Sequence, residues 1–120
     1  MPKPLAIIIE DDPLLSKIFS ITLQNNFEIE TIVDGAWAMP RLQQVVPALI
    51  VLDLHLPNVS GREILTQIRA DPRMAVTRVI VTTADALMAD LLQDEADIVL
   101  LKPVSPTQLR ELAERLYSLI

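Results

Sequence analysis

At 120 residues the chain has the length of one domain, and a compact chain of this size buries about two-thirds of its unfolded surface. Ten Lys and Arg residues against sixteen Asp and Glu leave a net charge of −6, which argues against non-specific binding to nucleic acid or anionic membrane. The absence of cysteine excludes disulfides and thiolate chemistry, a single histidine excludes a multi-histidine metal site, and two glycines exclude a glycine-rich phosphate loop. Hydrophobic residues make up 51% of the chain but aromatics only 3%, so Ile, Leu, Val and Ala must fill the core.

Taken in chain order, the elements alternate. The start, Met1-Pro2-Lys3-Pro4, precedes only five apolar residues. That is too short for a signal peptide or a membrane helix, so a cytoplasmic protein is expected. The apolar run 5–9 predicts a first strand, followed by a helix with Asp12 as N-cap and Pro13 at its first position. Leu14, Leu15, Ile18, Phe19 and Thr22 follow at helical spacing, and Asn25-Asn26 marks a stop. Residues 29–33, interleaved with Glu28, Glu30 and Thr31, alternate as an edge strand does. Segment 36–46 predicts a second helix, with Pro40 in its first turn or kinking it. Trp37 and Met39 are expected to pack within that element.

The runs 49–52, 79–81 and 98–101, like the first, are continuous apolar blocks of the kind a strand buried on both faces requires. Ser60-Gly61-Arg62-Glu63 forms a capping box opening a third helix that ends before Asp71-Pro72. Residues 86–95 hold at most a short fourth helix. Ser105-Pro106-Thr107-Gln108 repeats the capping logic for a last helix carrying Leu109, Leu112, Ala113 and Leu116. Leu116, Tyr117, Leu119 and Ile120 read as core packing of that helix, with a self-association surface as the alternative. Five β-α units without an internal break predict a doubly wound α/β domain over residues 1–120: a parallel sheet with helices on both faces and right-handed crossovers.

In such folds ligands bind at the carboxyl ends of the strands. The first strand runs into Glu10-Asp11-Asp12, the third into Asp53, the fourth into Thr82-Thr83 and the fifth into Lys102-Pro103. Carboxylates from two strand ends suit a hard divalent cation such as Mg2+, which offsets their repulsion. An aspartate there can accept a phosphoryl group, and a lysine and a threonine can bind the equatorial oxygens as charge redistributes.

Together, Ile-Ile-Ile-Glu-Asp-Asp-Pro, Leu-Ile-Val-Leu-Asp-Leu-His-Leu-Pro with Ser-Gly after it, Val-Thr-Thr-Ala and Leu-Lys-Pro resemble the receiver domain of two-component response regulators, from Leu5 almost to the C-terminus. The resemblance implies a flavodoxin-like (βα)5 fold with strand order 2-1-3-4-5. It makes Asp53 the phosphoacceptor, Asp11 a direct Mg2+ ligand, Glu10 a ligand acting through water, and the His55 backbone carbonyl the third protein ligand. Thr83 matches the switch hydroxyl and Lys102 the phosphoryl-contacting lysine, with a cis Lys102-Pro103 bond; Asp12 is then a cap. The implied partner is a sensor histidine kinase or phosphotransfer protein, whose phosphohistidine supplies the phosphoryl group. Output would come through a downstream protein or a homodimer, without direct nucleic-acid or membrane binding.

Three features depart from the family's pattern. Val99 stands where an aromatic usually rotates, the span from Thr83 to Lys102 is short, and Glu95 replaces a usual glycine. The chain ends soon after the last helix, so no effector domain is expected within it. These departures motivate an alternative reading, a receiver-like scaffold or dimerisation module that signals without phosphorylation. An aspartyl-phosphate phosphatase would need a second acid where His55 stands.

Overall fold

The computed structural model describes residues 2–118. Five strands, β1 (Leu5–Ile9), β2 (Glu28–Ile32), β3 (Leu49–Asp53), β4 (Arg78–Thr83) and β5 (Ile98–Leu101), form one parallel sheet in the order β2-β1-β3-β4-β5. Helices α1 (Pro13–Leu23), α2 (Gly35–Leu42), α3 (Gly61–Ala70), α4 (Ala86–Leu91) and α5 (Pro106–Ser118) follow the strands in turn, with a 3-10 turn at Pro72–Met74. The chain therefore has the doubly wound architecture expected from its alternation, with the flavodoxin-like strand order that the resemblance implies. No helix among the described residues is long and apolar enough to cross a membrane.

Side-chain alternation along the strands builds two cores. Ala6, Ile8, Leu49, Val51, Ile80 and Leu100 face Phe19 and Leu23 of α1 and Leu109, Ala113 and Leu116 of α5. Ile7, Ile9, Ile50, Leu52, Val79 and Val81 face Ala38 and Leu42 of α2 and Ile64, Leu65 and Ile68 of α3. β1 and β3, paired on both sides, are almost wholly buried, as continuous apolar runs require. β5 lies at the edge that the implied strand order gives it, and there it corrects the reading of residues 98–101 as buried on both faces: Leu101 is half exposed.

A short side chain caps the start of each helix, satisfying N–H groups that have no partner in the first turn. Asp12 Oδ1 accepts from the Leu14 N–H at 2.9 Å, Asp34 Oδ1 from Ala36 at 2.8 Å, Ser60 Oγ from Glu63 at 3.2 Å, Asp85 Oδ1 from Leu87 at 3.0 Å and Ser105 Oγ from Gln108 at 3.2 Å. The Ser60 half of the capping box forms; among the described residues the Glu63 carboxylate makes no reciprocal bond to the Ser60 N–H. α2 ends at Leu42 rather than at 46, and Pro40 lies inside it beyond the first turn. There proline withholds the N–H that the Ala36 carbonyl would otherwise receive. Met39 packs on the core as expected, but Trp37 is 70% exposed, a correction to its reading as a packing residue.

Leu116 is buried, Tyr117 is partly exposed with its ring edge-on to Phe27 at 5.7 Å, and Leu119 and Ile120 lie outside the described residues. α4 is short, at six residues. After it, Glu95 turns the chain without left-handed backbone: among the described non-glycine residues, only Asn58 has a positive φ, at 68°. Glu95 instead pairs with Arg62 of α3 at 3.1 Å, and its carbonyl accepts from Arg69 Nε at 2.6 Å. α3 thereby holds the α4–β5 connection that the family's glycine would have shaped.

Candidate functional site at the carboxyl edge of the sheet

Backbone hydrogen bonds carry the sheet one step beyond its strands and align the groups that follow them. The Glu10 N–H donates to the Ile32 carbonyl at 3.0 Å, Leu54 N–H to Thr82 at 3.1 Å, and Lys102 N–H to Thr83 at 2.8 Å. Glu10, Asp11 and Asp53 each offer a carboxylate oxygen, and all three oxygens lie within 4.8 Å of one another. Glu10 and Asp53 are buried, at 1% and 2% exposure, while Asp11 is exposed.

One cation faces them. Lys102 Nζ lies 3.2 Å from Glu10 Oε1 and 3.3 Å from Asp53 Oδ2. Burial pulls the Lys102 ammonium down, but the Asp53 and Glu10 carboxylates outweigh that and hold its pKa above its ordinary value. The Glu10 carboxyl is pushed up to about 7 by burial and by its hydrogen bond and repulsion with Asp53. The Asp12 N–H at 3.3 Å and Lys102 oppose that rise without cancelling it.

This has a consequence for the metal-free protein. A carboxyl raised from 4.5 to about 7 in the folded state favours folding while protonated. Its contribution is complete below pH ~4.5 and disappears as pH climbs through about 7, a loss of roughly 3 kcal/mol. Urea denaturation between pH 5 and 8 is expected to show that falling trend in the wild type and a clearly flatter one in Glu10→Gln. Parallel slopes in the two proteins would refute it.

The loop between β3 and α3 is fixed from both sides. His55 N–H donates to Asp53 Oδ1 at 3.1 Å, while the imidazole is exposed. Asn58 Nδ2 donates to Asp34 Oδ2 at 2.8 Å, tying the loop to the cap of α2 and, with the Ala36 N–H, lowering the Asp34 pKa. Both glycines of the chain lie against this loop. A Cβ at Gly35 would strike the Val59 carbonyl, and one at Gly61 the Asp53 carbonyl and Leu54 Cα.

Thr83 is fully buried, and its Oγ1 accepts from the Asp85 N–H at 3.1 Å. Among the described residues it makes no hydrogen bond to Asp53. The Lys102-Pro103 bond is cis, and Asp12 serves as a cap. The structure thus gathers Glu10, Asp11, Asp53 and Lys102 and leaves Thr83 and the His55 side chain out of their contacts. Sequence reasoning missed the Asp34–Asn58 tie, although an Asp beginning a helix after a strand was a usable signal.

The model of the response regulator receiver domain matches residues 6–114. The chain belongs to this family. As a receiver, it is 36% identical over 104 residues to the DNA-binding dual master transcriptional regulator RpaA of Synechocystis, covering 83% of this chain and 43% of that protein. It is 29% identical over 110 residues to the hybrid signal transduction histidine kinase D of Dictyostelium discoideum, covering 89% of this chain and 7% of that one. The receiver therefore spans less than half the length of these curated relatives. In fold it is similar to the chemotaxis response regulator CheY4 of Vibrio cholerae, with a TM-score of 0.86 at 23% identity over 95% of this chain and 98% of that one. The BeF3-activated DrrB receiver domain gives a TM-score of 0.86 at 25% identity over 97% and 98% of the two chains.

Proposed function

We propose that Asp53 accepts a phosphoryl group from the phosphohistidine of a sensor histidine kinase or phosphotransfer protein, in a Mg2+-dependent reaction that switches a protein–protein contact. The observation carrying this reading is the buried Asp53 carboxylate set between a lysine and two further acids, in a family whose members exchange phosphoryl groups. The donor set fits Mg2+: clustered hard oxygens, with a Glu10 carboxyl raised partly by repulsion that a cation would relieve. Glu10, Asp11, Asp53 and the His55 carbonyl would hold the ion, Glu10 acting through water. When bound, it supplies positive charge beside the entering phosphoryl oxygens.

The residues' own work is positional and electrostatic. One Asp53 oxygen forms the new O–P bond as the N–P bond to the donor histidine breaks, and the imidazole leaves with the bonding electron pair. Lys102, already paired with Asp53, follows the charge onto the phosphoryl oxygens. Thr83 donates a hydrogen bond from its hydroxyl to one of those oxygens. Water later attacks the phosphorus and returns the carboxylate, so the domain is a signalling phosphoacceptor with at most weak self-phosphorylation and autodephosphorylation.

Val99 packs partly buried against the α2 and α3 side of the sheet, with no ring to swing. Output therefore runs by another route than aromatic rotation, to a downstream protein or a second copy of the chain. The net charge of −6 supports a receiver that itself contacts no nucleic acid. On this reading the receiver works in the cytoplasm beside its kinase, as one unit over residues 1–120. The scaffold alternative has no physical need for the costly burial of Glu10 and Asp53 around Lys102.

Mass measurement after incubation with Mg2+ and a small phosphodonor tests the reading. The wild type is expected to gain one phosphoryl mass, Asp53→Asn none, and chelation of Mg2+ should prevent the gain. Equal signals from both proteins, or none from either, would refute it.

A further inference from the structure

β4 ends in two threonines on opposite faces of the sheet, and the proposed chemistry uses only one. Thr83 follows Val79 and Val81 toward α2 and α3, whereas Thr82 follows Ile80 toward α1 and α5. On that second face β1, β3 and β5 each contribute a site residue two positions beyond a core residue: Glu10 after Ile8, Asp53 after Val51, and Lys102 after Leu100. The register pairs Thr82 with Asp53 on one side and Leu100 on the other. Thr82 thus stands in the row of the charged groups, next to the proposed phosphoacceptor.

Thr82 is 1% exposed, and its Oγ1 makes no hydrogen bond to any described residue. A buried hydroxyl without a partner destabilises a fold, and valine would fill the same volume in a strand without that cost. Packing alone therefore does not account for threonine here. At rest the Asp53 oxygens are engaged elsewhere, Oδ1 by the His55 N–H and Oδ2 by Lys102. Phosphorylation adds oxygens at Asp53 and extends negative charge from it, creating acceptors that the resting carboxylate does not present.

We infer that Thr82 is a positioning residue for the loaded site, its hydroxyl donating a hydrogen bond to an oxygen of the Asp53 acyl phosphate. The inference rests on the reading of Asp53 as phosphoacceptor. It makes the two threonines complementary, one approaching the phosphoryl group from each face of the sheet. The arrangement favours loading in two ways, because the hydroxyl lacks a partner before loading and has one after.

Beryllofluoride with Mg2+, titrated calorimetrically into wild type, Thr82→Val, Thr82→Ser and Asp53→Asn, tests the inference alongside the thermal midpoints of the unloaded proteins. Thr82→Val is expected to melt at or above the wild-type temperature yet bind about tenfold more weakly, as loss of one hydrogen bond to a charged group implies. Thr82→Ser should bind within about twofold of wild type, because it keeps the donor. Wild-type affinity in Thr82→Val would overturn the inference while leaving Asp53 as acceptor. So would equal weakening of the Val and Ser variants, which would mark a packing role. Absence of binding by the wild type, matching Asp53→Asn, would instead overturn the reading of Asp53 and this inference with it.

Discussion

Gly61→Ala is expected to destabilise the domain by about 3 kcal/mol and to abolish phosphoryl loading. In an unconstrained helix interior the same change would stabilise by about 1 kcal/mol, because alanine is the better helix former. The sign reverses here because Gly61 opens α3 against the end of β3, its N–H donating to the Leu54 carbonyl at 3.0 Å. The new Cβ would meet the Asp53 carbonyl and Leu54 Cα, both backbone groups that cannot rotate aside. Either α3 lifts from the sheet or the end of β3 shifts, and the second displaces Asp53 itself. Urea denaturation reads the loss of stability, and mass after exposure to Mg2+ and a phosphodonor reads the site. A variant as stable as the wild type and fully loaded would show that the close approach is unimportant.

Lys102→Met should be nearly as damaging, for an electrostatic reason. It removes the ammonium that lies 3.2 Å from Glu10 and 3.3 Å from Asp53, two carboxylates at 1% and 2% exposure. Breaking a buried ion pair from one side costs about 3–5 kcal/mol, because the remaining charge is desolvated and unpaired. Some of that is relieved by protonating Glu10, whose carboxyl already titrates near 7 in the presence of the lysine. The loss is therefore expected to be larger at pH 8 than at pH 5, and millimolar Mg2+ should restore part of it at pH 8. Denaturant midpoints at both pH values, with and without Mg2+, provide the check. An equal loss at both would mean that the lysine contributes packing rather than charge.

Much of the site was legible because it is written at strand ends. A buried parallel strand shows as an unbroken apolar run, so the first polar residue after it marks the carboxyl edge of the sheet. Glu10, Asp53 and Lys102 could be placed together on that logic, and the five-fold alternation of strand and helix specified a doubly wound parallel sheet, to which the receiver resemblance added the strand order. What stayed hidden depends on how far neighbouring elements cover each side chain and on contacts across turns. The run 98–101 is apolar throughout and reads as buried on both faces, yet at the sheet's edge nothing covers Leu101 fully and it is half exposed. Trp37 looked like packing because it sits among apolar residues, yet its position on α2 turns it to solvent. The scarcity of glycine was visible in the composition; that both glycines press against one loop beside Asp53 required the third dimension. Thr82 and Thr83 are neighbours in sequence, and only the sheet separates them onto different faces.

The central claim is that one carboxylate, Asp53, receives the phosphoryl group. Loading the wild type with a phosphodonor and Mg2+, reducing the acyl phosphate with borohydride and mapping the product by peptide mass spectrometry tests it most directly. The account predicts conversion of residue 53 alone to homoserine, dependent on Mg2+ and on phosphodonor. A stable phosphoryl group on the His55 imidazole, or reduction at Glu10 or Asp11 with Asp53 intact, would contradict it.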